Sequence, residues 1–301
     1  MRVQHGRQAC TDWAIIILMP CYRALLLLLL SCPSLAFAYS SRYEQRVAEQ
    51  LLSGPAAGEV IRLRSAGGEY IALYTGYSTP QPQGAVVLVH GMGAHPDWPE
   101  VVGPLRKALP ALGWATLSLQ MPILPADGAI ADYGLTVDDA GQRIRAAVQH
   151  LHDWSFLNIV VIGHSFGAAT LAYTLADREM NNIKAFVGIS MQAQQFLSPR
   201  LKLLKRLESI SIPVLDIYGS RDILEVRREA HDRRLAAQKN GNSAYRQMVI
   251  EGADHYFTGM NEVLIKRIQG WLMKVSPGNP IVSEEKLPEV AARNPDEKAG
   301  E

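Results

Sequence analysis

Three side chains of this sequence could together carry acyl-transfer chemistry: Ser165, Asp222 and His255. A serine hydroxyl is a weak nucleophile, so it needs a histidine to take its proton and a carboxylate to hold that histidine in the useful tautomer. Ser165 lies in Gly163-His164-Ser165-Phe166-Gly167, between a strand-like run, Asn158 to Ile162, and an Ala- and Leu-rich helical stretch, Ala168 to Met180. Glycines flank a serine in this way where the chain turns too tightly from strand to helix to admit neighbouring side chains. The same placement sets the serine at a helix N-terminus, where backbone N–H groups can meet developing negative charge.

The acid and the base should follow in chain order, each beyond a strand. Val214 to Tyr218 leads into Gly219-Ser220-Arg221-Asp222, which makes Asp222 the expected acid. Asp216 competes but sits inside the apolar run, where a buried hydrogen-bonding role suits it better; Glu225 is a third option. Gln247 to Ile250 runs into Glu251-Gly252-Ala253-Asp254-His255, so the expected base stands on a loop between the last strand and the closing helix. An oxyanion also needs donors, usually two backbone N–H groups. The run Val86 to Val89 ends in His90-Gly91-Met92-Gly93, and the N–H groups of Met92 and Phe166 are the expected pair, with His90 fixing the loop by hydrogen bonding.

The elements that must position these residues are legible as periodicity. Val60 to Arg64 and Tyr70 to Thr75, separated by Ala66-Gly67-Gly68, read as a hairpin. From Gly84 on, apolar runs at 85–89, 114–119, 159–162, 185–189, 214–218 and 247–250 alternate with helical patterns. Strands covered by helices on both faces lose polar alternation, so this is a parallel sheet in a doubly wound α/β domain. Layer helices are expected over 137–152, with Ile144, Val148 and Leu151 inward, and near the end, with Val263, Ile265, Ile268 and Leu272 inward.

These motifs together resemble the α/β-hydrolase superfamily from about Gly84 to Val275. The stretch His90 to Leu105, with Ala94-His95-Pro96-Asp97-Trp98-Pro99, resembles more narrowly an uncharacterised bacterial envelope branch of it. The resemblance implies a mostly parallel eight-stranded sheet with helices on both faces and the catalytic roles given above. Members often insert a cap after the sixth strand; here Met191 to Pro213 leaves room only for a short loop and one helix, so the cap is minimal and the site open.

The N-terminal region reads as a cleavable leader: Arg23, then Ala24 and six leucines, ending in Ala36-Phe37-Ala38. The expected organisation is a signal peptide over 1–38, with a possible start at Met19, a catalytic domain over 39–275 and a disordered, Pro- and Glu-rich tail over 276–301. The leader implies a periplasmic or secreted protein. Leu29-Leu30-Ser31-Cys32 resembles a lipoprotein processing site, so membrane contact is expected only if Cys32 is lipidated or the leader is retained. All three cysteines fall in the leader, which leaves the mature chain without thiol chemistry.

Beyond the leader, 27 basic residues face 28 acidic ones, which provides no electrostatic footprint for nucleic acid. No metal-ligand spacing, dinucleotide fingerprint or Walker lysine is present, so neither metal nor cofactor is expected. His150 and His152 read as partly exposed helix residues, and Arg227, Arg228, Arg233 and Arg234 as a solvated basic helix face. Met121, Ile123, Leu124 and Phe196 follow strand ends and form either an apolar wall of the site or packing under a loop.

The reading is a serine hydrolase, carboxylesterase-like, that cleaves a small-molecule ester or acyl substrate through an acyl-enzyme. The same apparatus suits an amidase or peptidase, and a non-catalytic envelope binding protein on this fold is the alternative from another class.

Overall fold

The computed structural model describes residues 35–54, 58–125, 127–176, 180, 182–193, 201–239 and 241–278. Eight strands form one sheet: β1 (Glu59–Ser65), β2 (Gly68–Thr75), β3 (Gly84–Val89), β4 (Trp114–Leu119), β5 (Ile159–His164), β6 (Ile183–Ile189), β7 (Val214–Gly219) and β8 (Tyr245–Ile250), in the order β1-β2-β4-β3-β5-β6-β7-β8. The β1–β2 and β2–β4 pairs are antiparallel; the other five pairs are parallel. Gly68, at φ 123°, closes the β1–β2 hairpin with Ser65 opposite it.

Strands β3, β4, β5 and β7 are buried along their whole length, which is why their sequences are predominantly apolar and lack polar alternation on a solvent face. On one face lie α3 (Val137–Asp153) and α4 (Phe166–Leu175), after α1 (Leu35–Ser53) and α2 (Val102–Ala108) in chain order; α5 (Leu203–Leu207), α6 (Leu224–Arg228), α7 (Ala230–Lys239) and α8 (Asn261–Val275) follow. Helix α3 packs Ile144, Val148 and Leu151 with Val87, Val161 and Phe186, whereas α2 and α8 cover the opposite face, with Leu105, Leu264 and Ile268 against Leu88, Ile162 and Leu215. Each such fully buried side chain contributes roughly 1.5–3 kcal/mol.

The expected inward face of α8 needs correction. The helix buries Leu264, Ile268, Trp271 and Leu272, spaced by four, three and one, while Val263 faces solvent. Helix α1 was not expected. It is fixed by Glu44, whose carboxylate pairs with Arg143 at 2.5 Å and whose carbonyl accepts from Gln120 Nε2 at 2.9 Å. It also runs through Ala38, where the leader was expected to end; residues 1–34 lie outside the described residues.

Among the described residues no helix is long and apolar enough to cross a membrane. The segment expected as a tail begins as part of the fold: Ser276 is buried, its hydroxyl donates to Asn158 Oδ1 at 2.5 Å, and the Gly278 N–H donates to Gln83 Oε1 at 3.0 Å. Residues 279–301 lie outside the described residues.

Candidate active site

The strand order reverses at β3, which has β4 on one side and β5 on the other. A crevice forms outside the carboxyl ends of parallel strands at such a point. His90, Ser165, Ser190, Asp222 and His255 all lie just beyond strand ends on this edge.

Ser165 caps α4 with φ 53° and ψ −117°, a conformation that costs a non-glycine residue about 1–3 kcal/mol. Three backbone bonds hold it there: its N–H donates to the Ile189 carbonyl at 2.9 Å, and its carbonyl accepts from Ala168 and Ala169 at 3.0 and 3.2 Å. The flanking glycines are required by close approach. A Cβ on Gly163 would stand 2.7 Å from the Ala168 nitrogen, and one on Gly167 would stand 2.4 Å from the His90 carbonyl oxygen and 2.5 Å from that of Val89. The turn is therefore pressed against the end of β3. Gly91 lies against it as well, its Cβ direction 3.5 Å from Ser165 Cβ. The N–H groups of Met92 and Phe166 donate to no described residue.

Asp222 is buried after β7. Its Oδ1 accepts from His255 Nδ1 at 2.7 Å and from the Ile223 N–H at 2.8 Å; its Oδ2 accepts from Ser190 Oγ at 2.5 Å. Burial pushes this carboxyl up, but the hydrogen bonds from His255 and Ser190 outweigh it and hold Asp222 below the usual range. An ionised carboxylate only accepts, so Nδ1 of His255 carries a proton, which in the neutral ring leaves Nε2 as the accepting nitrogen. The His255 carbonyl accepts from His164 Nε2 at 2.9 Å, and the two imidazole rings stand 5.0 Å apart. His164, the neighbour of Ser165, thus ties the loop of His255 to the serine turn.

His90 is hydrogen-bonded through both ring nitrogens. The Met121 N–H donates to its Nε2 at 3.1 Å, so Nδ1 must carry the proton, which it donates to the Gly91 carbonyl at 2.8 Å. Burial pushes both His90 and His164 down to about 4, so both are neutral at ordinary pH.

The alternatives for the acid lie elsewhere. Asp216 is fully buried and accepts from Arg233 Nε at 2.8 Å, Tyr245 Oη at 2.6 Å and Gln247 Nε2 at 2.9 Å. Glu225 is exposed on α6. Arg233 corrects the expectation of a solvated basic face, because it is wholly buried on Asp216; Arg228 and Arg234 are exposed, and Arg227, also exposed, donates from Nε to the Asp222 carbonyl at 2.8 Å.

The apolar segment after β4 divides. Met121 and Ile123 are buried, Met121 within the main core, whereas half-buried Leu124 and Met92 pack with Tyr133 and Phe166 beside the serine turn. Phe196 lies outside the described residues. Two residues of this region went unread in the sequence: Ser190, which follows an apolar strand just as Ser165 and Asp222 do, and Tyr133, which no local pattern marks.

A family model described as "Protein of unknown function (DUF3530)" matches residues 32–133 and 136–274. The chain belongs to this family. No curated protein matches it in sequence. Among solved structures, Est1E from Butyrivibrio proteoclasticus is similar over 72% of this chain and 98% of its own, with 16% identity and a TM-score of 0.58. A dienelactone hydrolase from Anabaena variabilis matches over 73% of this chain and 98% of its own, with 18% identity and a TM-score of 0.59. The Pyrococcus furiosus esterase Pf2001 matches over 73% and 93%, with 18% identity and a TM-score of 0.60. The DUF3530 chain therefore has the α/β-hydrolase fold, as its motifs implied.

Proposed function

We propose that this DUF3530 protein is a serine hydrolase that cleaves carboxylic esters through an acyl-enzyme, with Ser165, His255 and Asp222 as its triad. The observation that carries the reading is the 2.7 Å bond from His255 Nδ1 to a buried, ionised Asp222, on the edge of the sheet that also holds the strained Ser165. Strain by itself does not separate a nucleophile from a binding or structural role, so the reading rests on the His255–Asp222 bond and on the place of Ser165 at the N-terminus of α4.

In this reading Ser165 Oγ attacks the ester carbonyl carbon while its proton passes to His255 Nε2. The carbonyl π pair moves onto oxygen, where the N–H groups of Met92 and Phe166 receive it. The tetrahedral adduct collapses: the carbon–alkoxide bond breaks, the alcohol takes the proton from His255, and the acyl group stays on Ser165. Water repeats the sequence, giving up its proton to His255 and releasing the acid. Asp222 holds the imidazole in the tautomer that can accept, and Ser190 and Ile223 hold Asp222.

The half-buried apolar surface of Met92 and Leu124 beside Phe166 supports an apolar or aromatic acyl group. One similar structure is Est1E with ferulic acid bound, an aromatic acid, which agrees with that class. The leader over 1–38 supports export to the periplasm or beyond, with 39–275 as the catalytic domain. A panel of p-nitrophenyl esters of rising acyl length, set beside peptide anilides, tests the substrate. Turnover of the esters should increase with apolar acyl size; anilide cleavage without ester cleavage would overturn the ester reading.

A further inference from the structure

Tyr133 stands in the short 3-10 segment Ile130–Thr136, ahead of α3 and away from every strand end that carries the triad. Its side chain is buried nonetheless, with its ring edge-on to Phe166 at 5.6 Å between centroids. Its hydroxyl oxygen accepts two backbone N–H groups, from Gly93 at 2.9 Å and from Leu124 at 3.3 Å. Two donors on the oxygen occupy its accepting side. The hydroxyl's own proton meets no acceptor among the described residues. The two N–H groups read above as oxyanion donors, on Met92 and Phe166, belong to the residue before Gly93 and to the residue whose ring Tyr133 touches. An O–H donor on a buried side chain, bonded to the oxyanion loop and with nothing to donate to among the described residues, is a group awaiting an acceptor.

We propose that Tyr133 is a third oxyanion donor, its O–H turned toward the carbonyl oxygen of the substrate, while its two accepted bonds hold the oxyanion loop to the segment after β4. The assignment rests on the hydrolase reading of Ser165. Because the donor matters most when charge sits on that oxygen, its loss falls on kcat more than on KM. Tyr133→Phe should lower kcat on a p-nitrophenyl ester by about 10²-fold, in the range for removing one oxyanion donor, with KM changed only a few-fold.

That variant also removes the two accepted bonds, so site-specific fluorotyrosine at position 133 separates the roles. Ionising the phenol abolishes donation but makes the oxygen a stronger acceptor. A donor therefore produces an alkaline fall in kcat that moves to lower pH as ring fluorination makes the phenol more acidic, whereas a clasp that only accepts produces none. Tyr133→Phe within threefold of the parent kcat, or fluorotyrosine forms without that moving limb, would overturn the proposal. Fluorophosphonate labelling of the parent protein separates the two levels: Ser165 labelled with Tyr133 variants unmoved overturns the tyrosine assignment alone, and Ser165 unlabelled overturns both.

Discussion

Two serines end neighbouring parallel strands with the same φ, and only one of them caps a helix. Ser165 after β5 and Ser190 after β6 both have φ 53°, and each donates its N–H to the next strand over, to Ile189 and Ile217 respectively, at 2.9 Å. The chain that follows them differs. After Ser165 come Phe166 and Gly167 and the first turn of α4, and the Ser165 side chain makes no cap hydrogen bond to that helix. After Ser190 the chain folds back: Met191 lies over Gly188, where a Cβ would stand 2.3 Å from its sulfur, and the Ser190 hydroxyl is spent on Asp222 at 2.5 Å. A strained serine is thus no signature of a nucleophile by itself. A helix N-terminus behind it and a hydroxyl left free make the difference.

Exchanging these two serines for alanine breaks the comparison most sharply. Ser165→Ala should cost on the order of 10⁴-fold or more in ester turnover. Ser190→Ala should keep the nucleophile and lose far less, about tenfold, the scale of one hydrogen bond to a charged group. It should also let the Asp222 carboxyl rise toward its ordinary range, because Ser190 is one of the two side chains that hold it low. Equal losses in the two variants, read from kcat, would erase the distinction drawn between the sites.

A smaller effect concerns the support behind Ser165. His90 and His164 are pushed from 6.5 down to about 4 by burial. Between those values the unfolded chain binds protons that the folded chain does not, so stability falls as pH drops from about 6.5 to about 4 and levels off below that. Each histidine contributes about 3 kcal/mol to that loss as an order of magnitude. His164→Gln keeps a donor for the His255 carbonyl and removes one titrating group, so its denaturant midpoint should vary less over this window than that of the parent. An unchanged slope would mean that His164 is not the neutral brace described.

Much of this site was legible in the residues because each part is announced locally. Strands buried on both faces cannot hide their apolar runs, Gly163 and Gly167 mark a turn too tight for side chains, and Asp222 and His255 each follow a strand. Asp216 interrupts an apolar run, and a carboxylate there must be buried and hydrogen-bonded, as it is on Arg233, Tyr245 and Gln247. The parts that were not read are pairings across elements. Glu44 meets Arg143 across 99 positions, Arg233 leaves an exposed-looking basic helix for Asp216, and Ser190 reaches Asp222 across 32. Tyr133 bridges two loops 40 and 9 positions away. Such contacts follow from the sheet order and carry no periodicity of their own, so they become visible only once the strands are in place.

The central claim is that Ser165, and not Ser190, is the activated nucleophile. Treating the folded protein with a fluorophosphonate and mapping the adduct by peptide mass spectrometry tests it directly. A single adduct is expected on Ser165, retained in Ser190→Ala and absent in Ser165→Ala and His255→Ala; a folded protein that takes no label, or takes it on Ser190, would overturn the assignment.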